Sequence, residues 1–281
     1  MVDSNPTMSS MARDLIAKNR KNRGATLDLG NCGLSKIPTG ISELTWLRSL
    51  SLSPIWFEYE GAFREGRMCT NSGESNTDVY DIGALSSLTG LEALGLRDTG
   101  VADIHPLAVL GALQYLDLAG SEVTDISALA SLVQLRFVDL SNTGVRDLTP
   151  LSSLPALEFL NISATEVNDL RPLASLPSLR IIDASQTRVD DLRPLGSIPS
   201  LEIIGLSNTS TVDVSPLGVL PVLERLDISQ TRVRDLAPLR PFLPGVPFFW
   251  DKFPSGKGII VNGCPIVNPP PEIVAREPMR F

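Results

Sequence analysis

The apolar residues of this chain repeat at a constant interval of 22 positions over most of its length. A leucine followed by Glu, Gln or Arg stands at positions 91, 113, 135, 157, 179, 201 and 223. Each unit follows an L-x-x-L-x-L pattern, with Val, Ile or Ala at some of the apolar positions, and continues with apolar residues at steps of three, as in residues 135–156. The first part predicts a short strand, and the second predicts a turn of 3₁₀ or irregular helix. Because one coil cannot bury its apolar face alone, the pattern predicts coils stacked on a shared core.

Two polar columns run through the repeats. A hydroxyl recurs at Thr77, Thr99, Ser121, Thr143, Thr165, Thr187, Thr209 and Thr231, and an aspartate recurs at Asp81, Asp103, Asp125, Asp147, Asp169, Asp191, Asp213 and Asp235. The aspartates stand where a helical turn begins, and a carboxylate accepts the free backbone N–H groups found there. We therefore predict that they cap turns and form neither a metal site nor a catalytic row. The hydroxyls are predicted to close turns in a similar way.

The two ends depart from the repeat. Residues 11–23 predict a short helix, and its Leu15 and Ile16 are expected to cover the open end of the core. Four aromatic residues within positions 248–253 are expected to close the other end, before a last strand at 259–261 and a stiff proline exit at 269–271. The predicted domains are a helical cap (1–23), the repeats (24–244), and a C-terminal cap and exit (245–281).

One segment interrupts the regular spacing. Leu47 and Leu91 are 44 residues apart, twice the repeat, yet residues 54–75 between them contain no leucine. We interpret this segment as a loop inserted after the strand that contains Leu50 and Leu52. Its aromatic residues leave two alternatives open, because the loop either folds over the concave rim or pads the N-terminal cap.

The 22-residue units resemble bacterial leucine-rich repeats of the internalin and phosphatase-regulator types, over about residues 24–244. The resemblance implies an α/β fold, a curved solenoid with a parallel sheet on its concave face and short helical turns on its convex face. The ends, GATLDLGNCGLSKIP and NPPPEIVA, resemble those of the leucine-rich region of bacterial Roco proteins, which precedes a GTPase domain. The sequence lacks a GxxxxGK[ST] phosphate loop, since Asp251 replaces the leading glycine, so GTP binding is not expected.

The outward positions of the predicted strands suggest a binding surface. Neighbouring residues of a strand alternate between faces. One outward column contains Tyr115, Phe137, Phe159, Ile181, Ile203 and Arg225, and the next contains Asp117, Asp139, Asn161, Asp183 and Asp227. Large apolar residues on strands about 4.8 Å apart predict a stripe roughly 20 Å long, and exposed stripes of this kind bind protein partners. The alternative is that these side chains lie under the rim or the inserted loop.

Charge and composition exclude other functions. The net charge of −8 and pI near 4.8 argue against nucleic-acid binding. We expect no secretion signal, membrane segment, metal or cofactor, and the distant Cys32, Cys69 and Cys264 suit a reducing cytoplasm. The single histidine, His105, belongs to no catalytic set.

The predicted function is a non-catalytic scaffold that binds a protein partner, whose identity the sequence does not give. Two alternatives stay open. One is the regulatory repeat region of a larger Roco-like GTPase or other signalling protein, and the other is a host-directed bacterial effector.

Overall fold

Each regular coil of the chain consists of a three-residue strand, a tight turn and a short helix, mostly of the 3₁₀ type. The computed structural model describes residues 10–56, 67–68, 71–240, 248–249 and 258–267. It divides into two units, residues 1–145 and 146–281. The domain boundaries that the sequence suggests, after residues 23 and 244, stay predictions.

Unit 1 begins with helix α1, Ser10–Asn22, where the sequence predicts a helix. A parallel sheet follows, in which each strand pairs with the strand of the next coil. Its strands are β1 (Thr26–Asp28), β2 (Ser49–Ser51), β5 (Ala93–Gly95), β6 (Tyr115–Asp117) and β7 (Phe137–Asp139). The 3₁₀ helices of this unit are Thr39–Glu43, Gly83–Ser87, His105–Val109 and Ser127–Ser131.

The inserted segment leaves the coils of unit 1 in register. Leu50 of β2 lies directly opposite Leu94 of β5, although the two residues are 44 positions apart. Within the insertion, β3 (Ile55–Trp56) pairs antiparallel with β4 (Arg67–Met68). This register agrees with a loop inserted after the Leu50 strand, which stays a prediction. Its course between residues 57 and 66 lies outside the described residues, so the choice between rim and cap stays open.

Unit 2 repeats the same construction. Its parallel sheet contains β8 (Phe159–Asn161), β9 (Ile181–Asp183), β10 (Ile203–Gly205), β11 (Arg225–Asp227), β12 (Phe248–Phe249) and β13 (Gly258–Ile260). Strand β13 pairs with both β11 and β12, which confirms the predicted last strand. The short helices are Thr149–Ser153, Arg171–Leu173, α2 (Arg193–Gly196), Ser215–Val219 and Ala237–Leu239. The aromatic side chains at 248–253 and the exit at 269–271 lie outside the described residues.

The core of each coil consists of the apolar positions that define the repeat. In the coil from residue 179 to residue 198 these side chains are at most 1% exposed, namely Leu179, Ile182, Ala184, Val189, Leu192, Leu195 and Ile198. Burial of a large aliphatic side chain contributes about 1.5–3 kcal/mol, so the stacking of coils supplies most of the favourable free energy of folding.

The side chains of both polar columns form hydrogen bonds with the backbone of their own coil. In all eight coils the aspartate Oδ1 accepts the N–H two residues later at 2.8–3.0 Å, where the short helix begins, which confirms the predicted capping. The hydroxyls from Thr99 to Thr231 donate to the carbonyl three residues earlier at 2.6–2.9 Å. Thr77 is the exception, because it is exposed.

Asn76 takes the place of Thr77 where the insertion ends. Its Nδ2 donates to the carbonyls of Leu29 at 2.8 Å and Leu52 at 2.9 Å, and its Oδ1 accepts the N–H of Leu34 at 2.8 Å. The buried amide thus joins two coils at the point where the chain returns from the insertion.

A second recurring backbone position follows the strands of seven successive coils, β5 to β11. The residue before each recurring hydroxyl from Thr99 to Thr231 adopts a left-handed backbone with φ between 55° and 66°, at Asp98, Gly120, Asn142, Ala164, Gln186, Asn208 and Gln230. This conformation costs roughly 1–2 kcal/mol for a residue with a Cβ atom. The N–H of Ala164 nevertheless bonds to the Ser185 carbonyl at 2.9 Å, so the turn extends the ladder between coils.

The free edge of β1 is covered by two asparagine side chains. Asn19 of α1 donates to the Thr26 carbonyl at 3.1 Å, and Asn71 donates to the carbonyls of Asp28 at 3.2 Å and Gly30 at 2.9 Å. Side-chain amides therefore occupy the acceptors that another strand would use. Ile16 of α1 is buried, as predicted for a cap, whereas Leu15 is half-buried.

Candidate functional site

The outward rings of unit 1 are buried, which contradicts the exposed stripe expected at these positions. Tyr115 and Phe137 are only 3% and 5% exposed. Their rings stack with centroids 4.3 Å apart and an interplanar angle of 12°. The spacing of neighbouring strands, about 4.8 Å, is close to the distance between stacked rings, so each ring covers a face of the other.

In unit 2, the side chains of the same outward column are buried at first and become half-buried on the following strands. Phe159 is 8% exposed, so the expectation of an exposed ring is wrong there too. Ile181, Ile203 and Arg225, on the following strands, are half-buried and reach the surface. The accessible part of the predicted apolar column therefore consists of aliphatic side chains beside an arginine.

The side chains of the adjacent polar column all accept the same kind of hydrogen bond. In Asp117, Asp139, Asn161, Asp183 and Asp227, Oδ1 accepts the backbone N–H two residues later at 2.9–3.1 Å. Each side chain thus closes the turn that follows its strand. An asparagine fills this role as well as an aspartate, because only one acceptor oxygen is needed.

The carboxylates of Asp117 and Asp139 also bind an arginine of the same chain, a contact that the sequence does not reveal. Arg97 donates from Nε to Asp117 Oδ2 at 2.9 Å and from Nη2 to Asp139 Oδ2 at 2.6 Å. Both carboxylates are buried, with whole-residue exposures of 1% and 5%. The predicted accessible acceptors of unit 1 are therefore already occupied by a cation of the same chain.

Burial shifts the pKa values of the side chains in this group. It raises the pKa of Asp117 to about 7, the nearby charge of Arg97 acts in the opposite direction, and Asp139 adds to the rise. Burial alone lowers the pKa of the Arg97 guanidinium, but the two carboxylates outweigh it and leave that pKa raised. Desolvation also raises the pKa of Tyr115 strongly. The cluster is a buried hydrogen-bonded group of one arginine and two acids inside unit 1.

The acids of unit 2 are more accessible. Asn161, Asp183 and Asp227 are half-buried, and Gly205 stands between the two aspartates in the strand order. The neighbouring turn positions carry serine, at Ser163, Ser185, Ser207 and Ser229. The structure thus joins Ile181, Ile203, Asp183 and Asp227 into one accessible surface of unit 2, and we call these four residues the unit 2 surface.

Within the described ranges, no group of three or more His, Cys, Asp or Glu side chains is arranged to hold a metal ion. The exposed His105 Nδ1 lies 2.8 Å from Asp103 Oδ1, in the local turn that Asp103 caps. No helix of the described part is both long and apolar enough to span a bilayer.

One residue important to the site escapes sequence analysis. Arg97 stands in a column otherwise filled by small residues such as Ala119 and Ser141. Its acids follow 20 and 42 positions later, and those intervals identify neighbouring side chains only after the coil geometry is known. The isolated cation among small residues is the signal that points to an internal ion pair.

Comparison with known proteins agrees with the geometry. A family model described as Leucine Rich repeats (2 copies) matches residues 111–153 and 133–175. The crystal structure of internalin C2 (inlC2) from Listeria monocytogenes strain 4b F2365 is 31% identical to this chain, with a TM-score of 0.57. That similarity covers 58% of this chain and 73% of internalin C2. A search of curated protein sequences finds no match.

Two further crystal structures share the fold alone. Internalin inlF from the same Listeria strain is 23% identical, covers 83% of this chain and 72% of its own, and has a TM-score of 0.67. The PEPR1–AtPEP1 structure is 20% identical with a TM-score of 0.57, and the similarity covers 73% of this chain but only 31% of that chain. The identity to internalin C2 over 73% of its length shows that this chain belongs to the leucine-rich-repeat proteins of the internalin type.

Proposed function

We propose that this chain is a non-catalytic scaffold that binds a protein partner through the unit 2 surface, in the cytoplasm. The observation that carries the proposal is that Ile181 and Ile203 are accessible on adjacent strands, beside Asp183 and Asp227. Apolar residues next to directional polar groups are typical of protein interfaces. Tyr115, Phe137 and Phe159, which the sequence suggests as anchors, are too buried to act without rearrangement.

The fold supports this assignment. Strands β9, β10 and β11 keep an exact one-to-one register, so the side chains of unit 2 stand in straight columns. Because the backbone of every coil is fixed by its neighbours, such a surface loses little conformational entropy when a partner binds. The net charge of −8 favours a partner with a basic binding surface and disfavours nucleic acid.

The proposal is tested by partner capture with matched variants. Partners retained by the immobilised chain are identified by mass spectrometry, and their retention is compared with that of the double variant Ile181→Asp, Ile203→Asp. The control is Val219→Asp, at a residue that is 70% exposed on the Ser215–Val219 helix. We expect the double variant to lose the partner and the control to keep it, with both variants folded by circular dichroism. Equal retention by both variants would place the interface elsewhere.

A further inference from the structure

We draw no further inference here: the strongest candidate, the cavity of about 280 Å³ between helix α1 and the edge of β1, is lined by the Asn19 and Asn71 amides, which already bind carbonyls of that edge, and nothing in the structure shows which ligand it would hold.

Discussion

The ring of Tyr115 stacks on the ring of Phe137, with centroids 4.3 Å apart on adjacent strands of unit 1. Both side chains are nearly inaccessible. The pair therefore acts as part of the packing of unit 1, at positions where strand alternation alone suggests a binding surface.

The first prediction concerns this pair. Phe137→Ala is expected to destabilise the fold by about 3–5 kcal/mol, because it leaves a cavity and removes the stacked face of Tyr115. Urea unfolding measures the change. Val219→Ala is the control and is expected to change stability by less than about 0.5 kcal/mol, since Val219 is largely exposed. A small loss for Phe137→Ala would restore the ring as an accessible anchor.

The second prediction concerns the capping aspartates. Asp191 accepts the N–H of Arg193 at 3.0 Å and also pairs with its side chain, whereas the adjacent Asp190 is exposed and caps no described helix. Asp191→Ala is expected to cost about 0.5–2 kcal/mol, and Asp190→Ala much less. We expect the same loss at Asp147 and Asp169. Thermal unfolding of the adjacent pair checks this, and equal losses would argue against a capping role.

The Asp191 carboxylate also makes the stability of the fold depend on pH in the acid range. The hydrogen bond from the Arg193 side chain lowers the pKa of Asp191 to about 2. A lowered pKa contributes stability that is present above the unfolded value, near 3.9, and is lost as the pH falls towards 2. The difference between wild type and Asp191→Ala is therefore expected to shrink below pH 4.

The third prediction concerns the opposite pH dependence of Asp117. Burial raises the pKa of Asp117 to about 7, so between pH 4 and 7 the folded chain holds a proton that the unfolded chain has released. The contribution of this group to stability falls as the pH rises through that range and is constant above it. Unfolding free energies at pH 5.0 and 7.5 are expected to show this decrease in wild type.

Two variants isolate that effect. Asp117→Asn removes the titrating group and is expected to flatten the dependence between the two pH values. Asp190→Asn removes one charge at an exposed site and is expected to leave the slope as in wild type. An unchanged slope in Asp117→Asn would show that other groups cause the dependence.

The fourth prediction concerns the covered edge of β1. Asn71→Ala removes two hydrogen bonds to the carbonyls of Asp28 and Gly30, and each lost bond is expected to cost about 1 kcal/mol. The bare acceptors are also expected to promote association, which size-exclusion chromatography detects. Asn168→Ala, at an exposed site, is the control.

The same contacts make the inserted segment 54–75 a structural part of the first coil. Replacing the whole segment removes Asn71 and also the bond from the Gly33 N–H to the Glu74 carbonyl at 2.8 Å. The replacement is therefore expected to cost at least as much stability as Asn71→Ala. A fully stable replacement would show that the first coil does not depend on the insertion.

The repeat is easy to predict because its signal is local. The spacing of Leu135, Val138 and Leu140 indicates a strand, and an aspartate two residues before a helical turn indicates a cap, whatever the rest of the chain does. The fold class and the capping column follow from such intervals.

The accessible site is harder to predict because it depends on neighbours in space. Alternation places Tyr115 and Ile181 on the same face, but ring stacking buries the first and leaves the second at the surface. Arg97 satisfies its acids across two coils, and Asn76 replaces Thr77 because the inserted chain returns one position earlier. The spacing of residues within a single repeat does not predict any of these contacts.

The left-handed turn residues also limit how such a chain changes length during evolution. Ala164, Gln186 and Asn208 occupy the same step of successive coils, and a shift of one residue would force the neighbouring threonine into that conformation. Gain or loss of single residues inside a coil is therefore strongly disfavoured, whereas duplication of a whole coil leaves every position unchanged. The insertion at 54–75 also leaves the positions of the coil unchanged. The chain leaves the coil after Leu52 and returns to the same coil at Asn76. New sequence enters this architecture either as a complete period or as a detour that rejoins the coil where it departed.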